Sequence, residues 1–129
     1  THNLGTAFNM PNLTSVERLS KFYKNPNNYF SILMVSYEVH EEKLSFTDCK
    51  FIPIEFLDWS CLTIGALGWR QIQIADSNHL TVNDKTTRKE WMLQLCKNLD
   101  SFYPNEIEKI TKRIDYFSEI QKMWNQASE

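Results

Sequence analysis

The chain has 129 residues, the size of one domain, and 42% of them are hydrophobic, which is enough to build a core and argues against wholesale disorder. Its formal net charge of −2 excludes a histone-like protein that holds nucleic acid by overall positive charge. The longest apolar run, residues 32–35, is too short to span a bilayer, and no signal peptide is visible. Three cysteines without CxxC spacing favour reduced thiols in a cytoplasmic compartment.

The first part of the chain predicts a loop followed by a helix. Residues 1–12 carry turn formers without an apolar period, so we expect a loop there. Apolar residues then recur at helical spacing, which predicts a leading helix over 13–24. Thr14 and Glu17 have the spacing of a capping box at its start.

A β-hairpin is predicted next. Residues 29–39 are rich in aromatic and β-branched side chains and almost uncharged, which is typical of a buried strand. Residues 40–43 are polar enough for a turn, and 44–52 alternate as the returning strand. A short helix is expected within 54–59.

The following segment contains the clearest alternation of the chain. Residues 62–68 are small and expected to be flexible, whereas 69–74 place Gln71 and Gln73 on one face of a strand and isoleucines on the other. After a turn, 79–82 are expected to pair back.

Two helices are predicted to close the sequence. Thr87 and Glu90 have capping-box spacing at the start of the first, and Pro104 favours the first turn of the second. We therefore predict an α+β fold: one mostly antiparallel or mixed sheet over 29–83, a leading helix, and a helical pair over 86–127, in one domain segment spanning 1–129.

Few residues have the spacing of a catalytic site. The three histidines are scattered, no His/Cys group has zinc spacing, and no glycine-rich phosphate loop is present. Glu38, Asp48 and Lys50 flank the predicted hairpin, where two carboxylates and a lysine would suit a Mg²⁺-dependent nuclease. Charged pairs across a hairpin are also common as solubilising features, and this alternative explanation stays open.

Two features favour contact with nucleic acid. The amides of Gln71 and Gln73 can bond to phosphates or base edges, although a polar face of an edge strand explains them equally well. The first 28 residues carry three basic side chains and one acidic side chain, a net charge of +2. Residues 29–85 carry four basic and eight acidic side chains, a net charge of −4. The amino-terminal loop is therefore the favoured place for an anion contact.

Several short motifs, taken in order, resemble one family. They are the Thr1-x-Asn3 opening, Pro11-Asn12, the strand 35–39, Gln71-Ile72-Gln73, and the helix opening at 87–91. This order and near-equal spacing, over almost the whole chain, resemble the HincII-like type II restriction endonucleases of the PD-(D/E)xK nuclease superfamily.

The resemblance implies where catalysis takes place. The family's catalytic motif ends in Val-Lys-Thr, and Thr1 looks like that Thr. The metal-binding acids and the catalytic Lys would then precede Thr1, so this chain would be the carboxy-terminal half, with no catalytic or metal-binding residue of its own. Asp48 and Lys50 would belong to a structural hairpin.

The resemblance also assigns DNA-reading residues. Asn9 matches a family Gln that wedges between base pairs, and Asn12 keeps the family's Asn. In the second reading loop, Gly65 replaces a base-contacting Asn, and Arg70 is expected to bond guanine O6 and N7. The expected DNA-binding residues are Thr1, Asn3, Asn9, Met10, Asn12, Gly65, Gly68, Arg70, Gln71 and Gln73.

The implied protein is a cytoplasmic, prokaryotic restriction–modification enzyme. It would bind a short palindromic site in double-stranded DNA as a homodimer, together with the amino-terminal half of the same protein, and would hydrolyse phosphodiester bonds with Mg²⁺. Two alternatives stay open. One is a non-catalytic DNA-binding or interaction domain of the same fold; the other is an independent Mg²⁺ nuclease using Glu38, Asp48 and Lys50.

Overall fold

A computed structural model describes residues 11–76 and 79–128. It has the α+β composition expected from the sequence, with antiparallel sheets and two α-helices. The elements in chain order are β1 (Asn12–Ser15), α1 (Val16–Phe22), β2 (Ser31–His40), β3 (Lys43–Pro53), the 3₁₀ turns Ile54–Phe56 and Trp59–Cys61, β4 (Leu62–Gly65), β5 (Gln71–Ile74) and α2 (Arg88–Gln126). None of the helices in this described part is long and apolar enough to cross a membrane.

The chain divides into two compact units between Thr87 and Arg88. The first unit contains both sheets and α1, and the second consists of α2 and the residues that follow it. The sequence predicts one sheet over 29–83, but the strands form two separate sheets. β1, β5 and β4 make one in that order, and β2 and β3 make the other.

The three-stranded sheet is antiparallel throughout and buries one of its faces. Ile72 and Ile74 of β5 are 0% and 2% exposed, so the predicted alternation of this strand is confirmed. β4 differs from the expectation of a flexible segment over 62–68, because pairing with β5 orders its first four residues. Residues 79–82 do not pair back onto β5; the only bridge of this segment among the described residues joins Val82 to Leu57.

The leading helix begins later than the sequence predicts. Residues 12–15 are a strand because they pair with β5, and Thr14 is buried opposite Ile72. Ser15 therefore becomes the N-cap, and its side chain accepts a hydrogen bond from the Arg18 backbone N–H at 3.0 Å. The predicted capping box from Thr14 to Glu17 is wrong because tertiary pairing outweighs the local helical period.

The hairpin of β2 and β3 is confirmed, with a two-residue turn at Glu41 and Glu42. Both residues have positive φ, 50° and 65°, as a type I′ turn requires. The prediction that 29–39 is buried is wrong, because one face of the hairpin is apolar and exposed. This hairpin apolar face consists of Leu33, Val35, Val39, Leu44, Phe46 and Phe51.

The two predicted terminal helices are one helix. Pro104 lies inside α2 instead of beginning a second helix. Proline removes one backbone N–H, but its fixed φ is helical, so the flanking turns continue through it. The Asn105 side-chain amide donates to the Ser101 carbonyl at 3.2 Å in this turn.

Candidate nucleic-acid interface

Six of the ten residues expected to contact DNA lie within the described part of the chain. Thr1, Asn3, Asn9 and Met10 lie outside it. The six others belong to β1, β4, β5 or the turn between β4 and β5, and they are Asn12, Gly65, Gly68, Arg70, Gln71 and Gln73.

Gln71 and Gln73 occupy the face of the three-stranded sheet opposite to the buried isoleucines. Gln73 lies in register between Asn12 of β1 and Thr63 of β4. In the same register, Gln71 lies between a serine of β1 and Gly65 of β4. We call this surface the amide face; its residues are Asn12, Ser15, Thr63, Gly65, Gln71 and Gln73.

One hydrogen bond joins two of the expected DNA-reading residues. The Gln73 side-chain Nε2 donates to the Asn12 Oδ1 at 2.6 Å, although the two residues are 61 positions apart in sequence. Both side chains are carboxamides with two donor hydrogens and one acceptor oxygen. The bond fixes both amides relative to the sheet, so their other polar atoms have defined directions.

Gly65 makes room for the Gln73 amide. A Cβ at position 65 would lie 2.8 Å from the Gln73 Cδ and Oε1 and 2.9 Å from its Nε2. Any side chain there would displace the Gln73 amide. The glycine therefore lets Gln73 lie across β4 while it bonds to β1.

The turn after β4 has a conformation that depends on Gly68. The Arg70 backbone N–H donates to the Leu67 carbonyl at 2.9 Å, and Gly68 has a φ of +57°. A positive φ at the first central residue is the requirement of a type II′ turn, which glycine meets without strain. The turn presents Trp69, whose ring lies 5.6 Å from the Lys21 Nζ of α1.

Arg70 differs from its expected role. Arg70 is only 8% exposed, and its backbone has a φ of +88°, a conformation that favours glycine. Its carbonyl accepts the backbone N–H of Val16 at 3.0 Å and so connects β5 to the start of α1. Burial of the side chain disfavours a direct contact with guanine, and that contact stays a prediction.

Positive charge beside this turn also comes from α1. Lys21 bonds to Glu17 at 2.5 Å, one helical turn earlier, while it lies over the Trp69 ring. Arg18, on the same helix, is exposed. The Lys21–Trp69 contact places the basic helix beside the turn that leads into the amide face.

Glu38 and Asp48, the acidic residues of the alternative Mg²⁺ site, both lie on the hairpin. Glu38 lies opposite Ser45 and Asp48 opposite Ser36, so the two carboxylates are not cross-strand partners. Glu38 pairs with His40 at 3.1 Å, and Asp48 with Lys50 at 3.7 Å. Within residues 11–76 and 79–128, no group of three or more His, Cys, Asp or Glu side chains is placed to hold a metal ion.

Sequence reasoning missed two members of the amide face. Ser15 and Thr63 flank the glutamines, but they belong to β1 and β4, which the sequence does not predict as strands. The alternation of β5 was the signal that could have found them, because a polar strand face has polar neighbours on the strands beside it. The segments that become β1 and β4 both carry hydroxyl side chains.

Comparisons with protein-family models, curated proteins and solved structures found no match to this chain. The family resemblance therefore rests on the motifs of the sequence alone.

Proposed function

We propose that this chain is the DNA-reading part of a type II site-specific deoxyribonuclease with a restriction-endonuclease-like core, similar to the HincII-like family. One observation carries the proposal: Asn12 and Gln73, both expected to read DNA, are hydrogen-bonded to each other across two strands. Gly65, a third expected residue, provides the space for that bond. Residues that act on one ligand must lie together, and these three do.

The chemistry of the amide face suits base reading. A carboxamide can donate to one base atom and accept from another, and the bidentate contact of Asn or Gln with adenine uses both functions. The major groove of DNA is wide enough to admit a β-ribbon. Lys21 and Arg18 on the neighbouring helix provide positive charge for phosphates, which fix orientation without reading sequence.

Hydrolysis and metal binding belong to another part of the proposed enzyme. Mg²⁺ is the cofactor that this function implies, and no group of three or more His, Cys, Asp or Glu side chains among the described residues could hold it. The resemblance assigns the acids and the lysine to positions before Thr1. In this proposal the chain works with the amino-terminal half, as a homodimer on a palindromic site, in the cytoplasm of a prokaryote.

Selection from a library of random DNA duplexes tests the proposal. The 129-residue chain should enrich one short palindromic sequence at a stated salt concentration. Asn12→Ala and Gln73→Ala should each weaken binding to that sequence by about 1–3 kcal/mol, roughly ten- to a hundredfold, and leave binding to random DNA nearly unchanged.

A second amide pair provides the matched control. Gln94 on α2 donates to the Asn98 Oδ1 at 2.9 Å, and both residues belong to the other compact unit of the chain. Gln94→Ala should bind the selected duplex like the unmodified chain. Equal enrichment of all sequences, or unchanged binding by both amide-face variants, would contradict the proposal. Cleavage by this chain with Mg²⁺ that Asp48→Ala abolishes would instead support the independent nuclease.

A further inference from the structure

The helix α2 has a regular stripe of exposed apolar residues. Ile107, Ile110, Ile114, Phe117 and Trp124 are each between 51% and 67% exposed and follow one another at intervals of three, four, three and seven residues. The same alternation continues towards the start of the helix. We define the α2 stripe as Leu93, Cys96, Asp100, Tyr103, Ile107, Ile110, Ile114, Phe117, Gln121 and Trp124.

The stripe is not the buried face of the helix. Trp91 and Leu95 are 1% exposed, and both lie about 200° around the helix from Leu93. They are the only buried residues among the described positions of α2, so no buried face of the helix accounts for the apolar stripe over 107–124. Apolar residues spaced alternately three and four apart over several heptads are the signature of a helix that pairs with another helix.

Most charged residues of this region lie away from the stripe. Glu108 and Lys112 form an ion pair at 3.2 Å on the side of the helix away from the stripe. The other acidic and basic residues between 107 and 122 also lie away from the stripe, except Arg113, which lies at its border. Arg113 borders the stripe beside Ile114, as Glu106 does beside Ile107. The two bordering positions thus carry opposite charges, seven residues apart.

The charges select an antiparallel arrangement of two copies of α2. In a parallel pair, Asp100 would face Asp100 of the second copy across the stripe, which is repulsive. In an antiparallel pair with Ile107 against Ile110 of the second copy, Asp100 faces Phe117 of the second copy instead. An antiparallel pair shifted by one heptad would bring the two Arg113 side chains together.

The favoured register also brings together oppositely charged residues at the borders of the stripe. Glu106 of each copy lies beside Arg113 of the other, which gives two symmetric ion pairs, and Leu99 lies beside Ile120 of the second copy. The register overlaps the whole of 93–124, so that Leu93 faces Trp124 of the second copy. Pro104 is at the edge of the stripe and does not enter its centre.

We propose that α2 pairs in antiparallel orientation with α2 of a second copy of this chain, through the α2 stripe. The pairing is two-fold symmetric, because every contact between residues of the two copies occurs twice. It rests on the proposed function, which includes a homodimer, and gives that homodimer a contact surface. Because the amide face belongs to the other compact unit, failure of the pairing and failure of DNA reading are distinguishable.

Light scattering of the 129-residue chain, over a series of concentrations and without DNA, tests the pairing. The expected mass is twice 15.3 kDa. Ile110→Lys places a charge at the centre of the stripe and should raise the dissociation constant at least a hundredfold. Met123→Lys is the matched control, because Met123 is 57% exposed on the same helix but off the stripe; it should remain a dimer.

A charge exchange tests the orientation. Glu106→Arg alone should weaken the dimer at least tenfold, because position 106 would then present a positive charge to Arg113 of the second copy. The double variant with Glu106→Arg and Arg113→Glu should restore the dimer. Circular dichroism verifies that each variant keeps its helix. A monomer at every concentration, a dimer insensitive to Ile110→Lys, or an exchange that fails to restore pairing would overturn the proposal.

Discussion

Gly68 lies in the turn that leads into the amide face. Its φ of +57° costs a residue with a Cβ about 1 kcal/mol or more, whereas glycine adopts it freely. No atom lies within 4 Å of the position where a Cβ would be, so a substitution there tests backbone conformation without a steric clash.

We expect Gly68→Ala to lower the free energy of unfolding by about 1 kcal/mol. Gly68→Asn should lose less, because asparagine tolerates the left-handed conformation better than alanine. Urea denaturation of the three proteins measures both values. Equal stability of the alanine variant and the unmodified chain would show that the turn does not require this φ.

Asp58 gives the fold a dependence on pH. Its carboxylate accepts hydrogen bonds from the side chain and from the backbone N–H of Ser60, the latter at 2.8 Å, and these bonds lower its pKa below the usual 3.8. A group with a lowered folded pKa stabilises the fold above the unfolded pKa. That stabilisation is lost as the pH falls below 3.8 towards the lower folded pKa.

Asp58→Ala should therefore be less stable than the unmodified chain at neutral pH, by a small amount because Asp58 is partly exposed to solvent. The difference should shrink as the solution is acidified below the unfolded pKa. Thermal unfolding at a series of pH values measures it. A difference that stays constant through the acidic range would mean that the carboxylate charge plays no part.

At the scale of elements, α2 contains an interruption. Pro104 removes the backbone hydrogen bond that the residue at this position would give to the Asp100 carbonyl, and its ring crowds that carbonyl. We expect Pro104→Ala to stabilise the helix by up to about 3 kcal/mol.

Hydrogen exchange of the amides around residue 104 measures the effect of Pro104→Ala locally. Ser118→Ala, elsewhere on α2, controls for the general helix preference of alanine and should change stability by only a few tenths of a kcal/mol. If the proline variant gains no protection, neighbouring groups already compensate for the missing bond.

Local patterns predict some elements and fail for others. The hairpin and the alternation of β5 follow from residue types with a period of two, and both are confirmed. The predicted start of α1 is wrong because residues 12–15 have a helical apolar spacing but pair with β5, a partner about sixty residues away. The predicted helix start at Pro104 is wrong as well, because the helix continues through Pro104 although an interior position is less favourable for proline than the first turn.

At the scale of the molecule, the sequence could suggest several residues of the amide face, but it could not predict which of them contact one another. The bond between Asn12 and Gln73 depends on the pairing register of β1 with β5, which includes an irregularity between Asn12 and Thr14. No spacing in the sequence encodes that shift. The same applies to Arg70, whose burial follows from packing and not from its neighbours in sequence.

The two proposals concern different units of the chain. DNA reading is assigned to the unit that ends at Thr87, and pairing to the unit that begins at Arg88. A palindromic site is read by two copies related by a two-fold axis, and the α2 pairing has the same symmetry. Loss of pairing in the Ile110→Lys protein with DNA selection retained would separate the two functions.

The irregular pairing in the hairpin has a consequence for its surface. The pairing shifts by one residue between Ser36 and Tyr37, which leaves Thr47 with no residue opposite. Because side chains alternate along a strand, residues 46 and 51, an even and an odd number, would ordinarily point to opposite sides. The extra residue Thr47 shifts this alternation by one position, so Phe46 and Phe51 point to the same side of the hairpin. One side of the hairpin is therefore apolar from Phe51 at its base to Leu44 beside the turn, whereas the other side is apolar at the base, where Ile52 is buried, and polar only towards the turn.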